Sequence, residues 1–299
     1  MEYLAYLLLG VIAGLIAGLM GLGGGVIVVP ALIFMFDYLN FNETILTQMA
    51  VATSLATIII STGSSTRVHL KKKAIHWGLF RYMGPCVLAG SLVGTQTAHL
   101  IQGPTLQLFC GIFNISIGIK MFLNLKAKTG EFKANPKIQS IAGTIIGILS
   151  GMLGIGGGAI TVPWLSWCGL KLQQAMATSS LLGLTLSTAG TLGYVWAGRN
   201  ISGTPTWSLG YIYLPAFIGI TCTSFFFARL GARWAHRIKG HYLRQLFSAV
   251  LILIGIKFIF SWYSNQIASE AAKDYVWFGV GTVTFAVVYS LLRLGARRF

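Results

Sequence analysis

Apolar residues fill the chain in long runs near 3–36, 44–66, 77–97, 105–123, 138–168, 174–197, 208–229, 243–263 and 275–293, with short polar connections between them. A bilayer crossing needs about 20 predominantly apolar residues. The pattern therefore predicts a helix at each run and an all-α polytopic integral membrane protein. Two runs, 3–36 and 138–168, are too long for one simple crossing, and a glycine cluster interrupts each near its middle. Each is expected to be a broken or re-entrant helix.

The two long runs are copies. Residues 11–30 align without a gap on 144–163, with ten of twenty positions identical. Gly21, Gly23, Gly24, Gly25 and Pro30 fall on Gly154, Gly156, Gly157, Gly158 and Pro163. A second gapless block sets 94–122 on 231–259 with eleven identities in twenty-nine, and between the blocks Ala52-Thr53-Ser54 meets Ala177-Thr178-Ser179. The chain thus reads as a first repeat over 1–123, a cytoplasmic linker over 124–137, a second repeat over 138–265, and an extra C-terminal transmembrane helix within 266–299.

Charge decides the orientation of the repeats. Connection 67–81 carries Arg67, Lys71, Lys72, Lys73 and Arg81, whereas 98–105 carries no Lys or Arg. In the second half the preference swaps: 229–244 carries five basic residues, and the counterpart of the rich loop has only Arg199. Cytoplasmic loops are enriched in Lys and Arg, so the halves read as inverted. If each glycine-interrupted run enters and returns to its starting side, 19 of the 22 Lys and Arg lie on the cytoplasmic side, with the N-terminus outside.

Composition agrees with this picture: 55% of residues are hydrophobic and 9% charged, against about a quarter charged in soluble domains. The net charge of +16 sits in loops, which argues against a nucleic-acid partner and for the lipid bilayer. Cys86, Cys110, Cys168 and Cys222 lie in or at the ends of apolar runs without C-x-x-C spacing. Neither a disulfide framework nor a zinc site is expected. The first residues lack a basic signal-peptide region, so the first run is expected to remain in the mature protein.

The candidate chemistry lies at the glycine clusters. Three consecutive glycines weaken a helix interior, so each cluster should end one helix and start another, with Pro30 or Pro163 near the new start. Broken backbone at membrane depth must be buried or line a wet cavity. The N-termini of the new helices would present N–H groups and a positive dipole end to an anion, as in transporters built on inverted repeats. The expected substrate-binding residues are Gly23, Gly24, Gly25, Gln48, Thr53 and Ser54 in one half. Gly156, Gly157, Gly158, Gln174, Thr178 and Ser179 serve in the other. The repeat equivalents Lys120 and Lys257 are expected to snorkel, but Lys257, set between Ile-Gly-Ile and Phe-Ile-Phe, would be a counter-charge if turned inward.

Other classes find little in the chain. The glycine clusters match neither the P-loop nor the dinucleotide fingerprint, so no nucleotide or other cofactor is expected. The six acids, Glu2, Asp37, Glu43, Glu131, Glu270 and Asp274, are terminal or in loops, which leaves no intramembrane carboxylate relay. The five histidines map to connections without metal-ligand spacing. No catalytic constellation is present, and an enzyme is not expected.

Paired G-x-G-G-G-x4-P segments opening each half, Ala52-Thr53-Ser54-Leu55 one helix later, and the basic stretch from Arg67 to His76 resemble the TauE/SafE sulfite exporter family. The resemblance covers about residues 5–265. It implies a multi-pass carrier of the inner (plasma) membrane that exports a small sulfur-containing anion, sulfite or an organosulfonate, with the glycine clusters and Thr-Ser pairs as the functional positions. Two alternatives stay open: an importer of thiosulfate or a related anion, hinted at by Cys168 beside the second motif, and a passive small-anion channel. Monomer and homodimer are both compatible with the sequence.

Overall fold

The computed structural model describes residues 2–20, 24–123, 135–201, 203–234 and 240–267. The expected features at Gly21 and Gly23, along 124–134 and at the helix near 275–293 lie outside the described residues. The first repeat gives α1 (Glu2–Met20), α2 (Gly25–Tyr38), α3 (Glu43–Lys71), α4 (Trp77–Leu100) and α5 (Gly103–Phe122). The second gives α6 (Pro136–Leu153), α7 (Gly158–Trp167), α8 (Leu172–Ala197), α9 (Leu214–Trp234) and α10 (Gly240–Ile267). Each long run is thus two helices, as its glycine cluster predicts.

The run over 208–229 departs from expectation. It opens as a hairpin of β1 (Ser208–Leu209) and β2 (Ile212–Tyr213), with Ser208 opposite Tyr213 and Leu209 opposite Ile212. Left-handed backbone at Trp207 (φ 70°) and Gly210 (φ 59°) sets the turn. The helix begins only at Leu214, where Pro215 in the first turn sacrifices no helical hydrogen bond.

Neither repeat packs as a unit by itself. One compact unit comprises 1–103 with 127–237 and the other 104–126 with 238–299, so each draws on both repeats. In the first unit α1 lies along α9 and α6 along α4, an exchange of equivalent helices between the halves. Glycine stripes make this approach feasible: a Cβ on Gly147 would stand 2.5 Å from the Val87 carbonyl oxygen, and one on Gly14 would stand 2.7 Å from the Ser224 Cα. Along α3 and its equivalent α8 the neighbours run in opposite order. Thr66 meets Ser180, Gly63 meets Leu184 and Leu55 meets Gly190, so the two helices are antiparallel. In the second unit Gly111 faces Gly255 while Gly118 faces Ser248, so α5 and α10 are antiparallel as well.

The short helices fold back. Trp164 Nε1 of α7 donates to Gln139 Oε1 near the start of α6 at 3.0 Å, and Gln139 Nε2 donates to Cys168 Sγ at 3.2 Å. Tyr6 at the start of α1 and Phe36 at the end of α2 likewise share the ring of Tyr213, at centroid distances of 6.1 and 5.7 Å.

Polar and apolar residues are distributed as in a bilayer protein. Ile138, Ile141, Ile145 and Leu149 form an exposed face of α6, with Ile141 62% exposed, while Gln48, Thr53, Ser54 and Thr178 are buried. Such extensive apolar surface does not suit water. Glu43–Lys71 is the one described helix long and apolar enough to cross a membrane by length and composition alone. Tyr6–Leu15, Gly25–Tyr38, Leu214–Phe227 and Ser248–Tyr263 are shorter apolar stretches, because helix breaks and internal Ser, Thr and Gly interrupt the longer runs.

Candidate substrate site at the paired glycine motifs

The two motifs adopt the same backbone. Gly24 caps α2 at φ 73°, ψ −27°, and Gly157 caps α7 at φ 73°, ψ −28°. This left-handed region suits glycine because it has no Cβ. From the first turn, Ile27 and Val28 N–H donate to the Gly24 carbonyl at 3.0 and 3.1 Å, and Ile160 and Thr161 N–H to the Gly157 carbonyl at 3.0 and 2.7 Å. The two N–H groups before each pair, on Gly25 and Val26 and on Gly158 and Ala159, have no intrahelical acceptor. Neither cap supplies a side-chain acceptor, and all four residues are buried. Each short helix therefore starts with buried donors aimed away from its own backbone.

The prolines are not at the helix starts, contrary to expectation. Pro30 and Pro163 are each the sixth residue of their helix, because the left-handed glycine starts the helix one turn and a half earlier. Lacking an N–H, each proline leaves the carbonyl four residues before it, on Val26 or Ala159, without its helical partner.

The motifs meet. A Cβ on Gly25 would lie 2.8 Å from the Gly154 carbonyl oxygen and 3.3 Å from the Ile155 Cα. Ser54 Oγ donates to that same Gly154 carbonyl at 3.0 Å. The buried side chain of Ile58 fills the space between the motifs, facing both Gly25 and Gly156, while the Gly156 carbonyl packs on Gly183 of α8. The structure so brings together Gly24, Gly25, Ser54, Gly156, Gly157 and Gly158 of the expected set. Gly23 lies outside the described residues.

The two threonines have a different geometry, and it is symmetric. Thr53 Oγ1 accepts from Tyr213 N–H at 3.1 Å, and Thr178 Oγ1 accepts from His76 N–H at 3.0 Å. Tyr213 and His76 each directly precede a helix, α9 and α4, and the register of the second repeat block sets them on each other. Each threonine thus pins the start of a helix in the opposite half. Ser179 is buried beside Thr178 on α8.

The glutamines part company. Gln48 is buried, and its Nε2 donates at 2.8 Å to the Ile101 carbonyl that ends α4. Gln174 is exposed at the start of α8. The register that pairs Thr53 with Thr178 carries Gln48 onto Gln173, which is exposed too. Gln48→Leu is expected to destabilise the protein by about 1–3 kcal/mol, since it strips the partly buried Ile101 carbonyl of its donor. Gln174→Ala should stay within about 0.5 kcal/mol of the parent; chemical unfolding in detergent measures both.

Lys257 is half-buried on α10 in the second unit, whereas the glycine motifs belong to the first. Cys168 closes the C-terminal end of α7, a full helix length from the Gly157 cap. Nothing in the apolar pattern singles out Ile58 or Thr161. The signal was in the repeat register, which sets Ile58 against Gly183 and Thr161 against Val28.

A family model for the sulfite exporter TauE/SafE matches residues 6–258. A probable membrane transporter protein of Haemophilus influenzae is 34% identical over 252 residues, covering 84% of this chain and 95% of its own length. One from Methanocaldococcus jannaschii is 31% identical over 84% of this chain and 92% of itself. The probable membrane transporter protein YunE of Bacillus subtilis is 28% identical over 87% and 98%. No solved structure matches the chain. Two buried half-helix starts in a duplicated helical bundle, matched by this family model and these relatives, place the chain in the sulfite exporter TauE/SafE family of membrane transporters.

Proposed function

We propose that the protein is a secondary-type transporter that exports a small sulfur-containing anion, sulfite or an organosulfonate, across the inner membrane as a multi-pass protein. The observation that carries this reading is the pair of buried, glycine-capped helix starts in two motifs that touch where Gly25, opening α2, packs on the Gly154 carbonyl that ends α6. Among the described residues the N–H groups of Gly25, Val26, Gly158 and Ala159 have no backbone acceptor, and a buried donor left unpaired is costly. An anion satisfies them, and the positive ends of α2 and α7 favour it further.

The antiparallel course of α3 and α8, and of α5 and α10, supports an inverted relation between the halves. The return of α7 to the start of α6 supports a re-entrant hairpin. Under that relation the site lies where the two equivalent glycine motifs touch, the arrangement that lets access alternate between faces.

Transport into proteoliposomes tests the reading. Sulfite, sulfoacetate, taurine, thiosulfate, sulfate and chloride are offered in turn. Saturable uptake of sulfite or a sulfonate, with counterflow, is expected. Large unitary currents without counterflow would instead identify a channel, and uptake of none of the sulfur anions would sink the assignment.

A further inference from the structure

The two half-helices share a backbone but not a side-chain lining. The repeat register sets Thr161 of α7 on Val28 of α2, and both are buried, 1% and 4% exposed. Thr161 Oγ1 reaches back over its own helix start, 3.3 Å from where a Cβ on Gly157 would stand. It occupies the edge of the space that a capping side chain would fill. Among the described residues no hydrogen bond engages its hydroxyl, and the oxygen is not one of the fully enclosed polar atoms, whereas a hydroxyl inside a protein ordinarily finds a partner. On α2 the same position offers hydrocarbon, and Ile58 adds more where it presses on Gly25.

We infer that Thr161 is a substrate-binding residue that makes the site one-sided: the oxyanion docks on α7, held by the N–H groups of Gly158 and Ala159 and by the Thr161 hydroxyl, while Val28 and Ile58 on the other side present apolar surface to the rest of the substrate. This rests on the proposed anion site at the glycine motifs. A neutral donor adds to binding without trapping the anion, whereas a buried cation would hold it more tightly. The inference assigns the two halves unequal tasks, despite their common backbone.

The test measures transport of sulfite and of sulfoacetate in proteoliposomes for Thr161→Val, Thr161→Ala, Thr161→Ser and Gly157→Leu. Loss of one hydrogen bond to a charged group predicts a rise in KM of about tenfold or more for Thr161→Val. Its maximal rate should stay within about twofold of the parent, and Thr161→Ser should restore KM because it keeps the hydroxyl. Should Thr161→Val fail to unfold cooperatively in detergent, Thr161→Ala gives the same comparison without the added methyl. An unchanged KM for the hydroxyl-free variants, with Gly157→Leu inactive, overturns the role of Thr161 and leaves the site standing. Parent-like transport by Gly157→Leu as well overturns the site itself.

Discussion

Gly25→Leu is expected to abolish transport, and Gly25→Ala to reduce it at least about tenfold, because crowding alone costs about 1–3 kcal/mol at a tightly packed position. The reason is contact with the other motif. A Cβ on Gly25 would come within 2.6 Å of Ile58 Cδ1, which can swing away, and within 2.8 Å of the Gly154 carbonyl oxygen, which cannot. Adding it pushes the start of α2 away from the end of α6, where the first motif rests on the second. Gly157 fails for another reason: an added Cβ there would stand 3.3 and 3.6 Å from its nearest neighbours, but the φ of 73° costs a side-chain-bearing residue about 1–2 kcal/mol. Gly157→Asn should therefore be milder than Gly157→Val, since asparagine tolerates the left-handed region, whereas at Gly25 the two should be equally inactive. Uptake assays on the Leu and Ala variants of Gly25 and on the Asn and Val variants at both positions, with unfolding curves beside them, separate crowding from conformation. Equal effects of Asn and Val at Gly157 would remove the conformational account.

Thr53→Val and Thr178→Val are each expected to destabilise the fold by about 1–3 kcal/mol, because each takes the acceptor from a helix-start N–H, buried at Tyr213 and half-buried at His76. Their symmetry makes the prediction sharp. Thr53 holds Tyr213 N–H and Thr178 holds His76 N–H at nearly the same distance, 3.1 and 3.0 Å. Both ties cross from one half to the other, so both variants loosen the seam between the repeats. Thr→Ser at either position keeps the accepting oxygen and should stay close to the parent. If the threonines act mainly through these ties, folded Thr→Val protein keeps the parent KM while losing stability. A raised KM at unchanged stability would show instead that their hydroxyls bind substrate directly.

The placement of these residues shows where sequence patterning runs out. A Thr-Ser pair repeated in both halves reads naturally as a site lining, and for Ser54 the structure does set the hydroxyl on the glycine motif. Its neighbour Thr53 points elsewhere, because successive residues on a helix are about 100° apart and so face different partners. The glutamines differ through the helix ends they meet: Gln48 finds the carbonyl end of α4, while Gln174 stands exposed at the start of α8. A polar residue's type says that it needs a partner when buried. Only the fold says which one it gets.

The sequence by itself determined the helical bilayer character, the duplication, and the break at each glycine cluster. These follow from local chemistry: apolar runs need lipid or a core, and consecutive glycines cannot sustain a helix across 21–25 or 154–158. The glycine stripes also marked the faces where helices approach closely. Tertiary structure alone decided that α1 packs along α9 and α6 along α4, since many helix pairs in one chain can satisfy a small-residue stripe. It decided as well that residues 208–213 form a hairpin whose Tyr213 reaches Thr53, a contact 160 positions away in the chain. Periodicity carries no information at that separation. The convergence of the two motifs on Ile58, and the hydroxyl of Thr161 over one helix start but not the other, arise from that long-range packing.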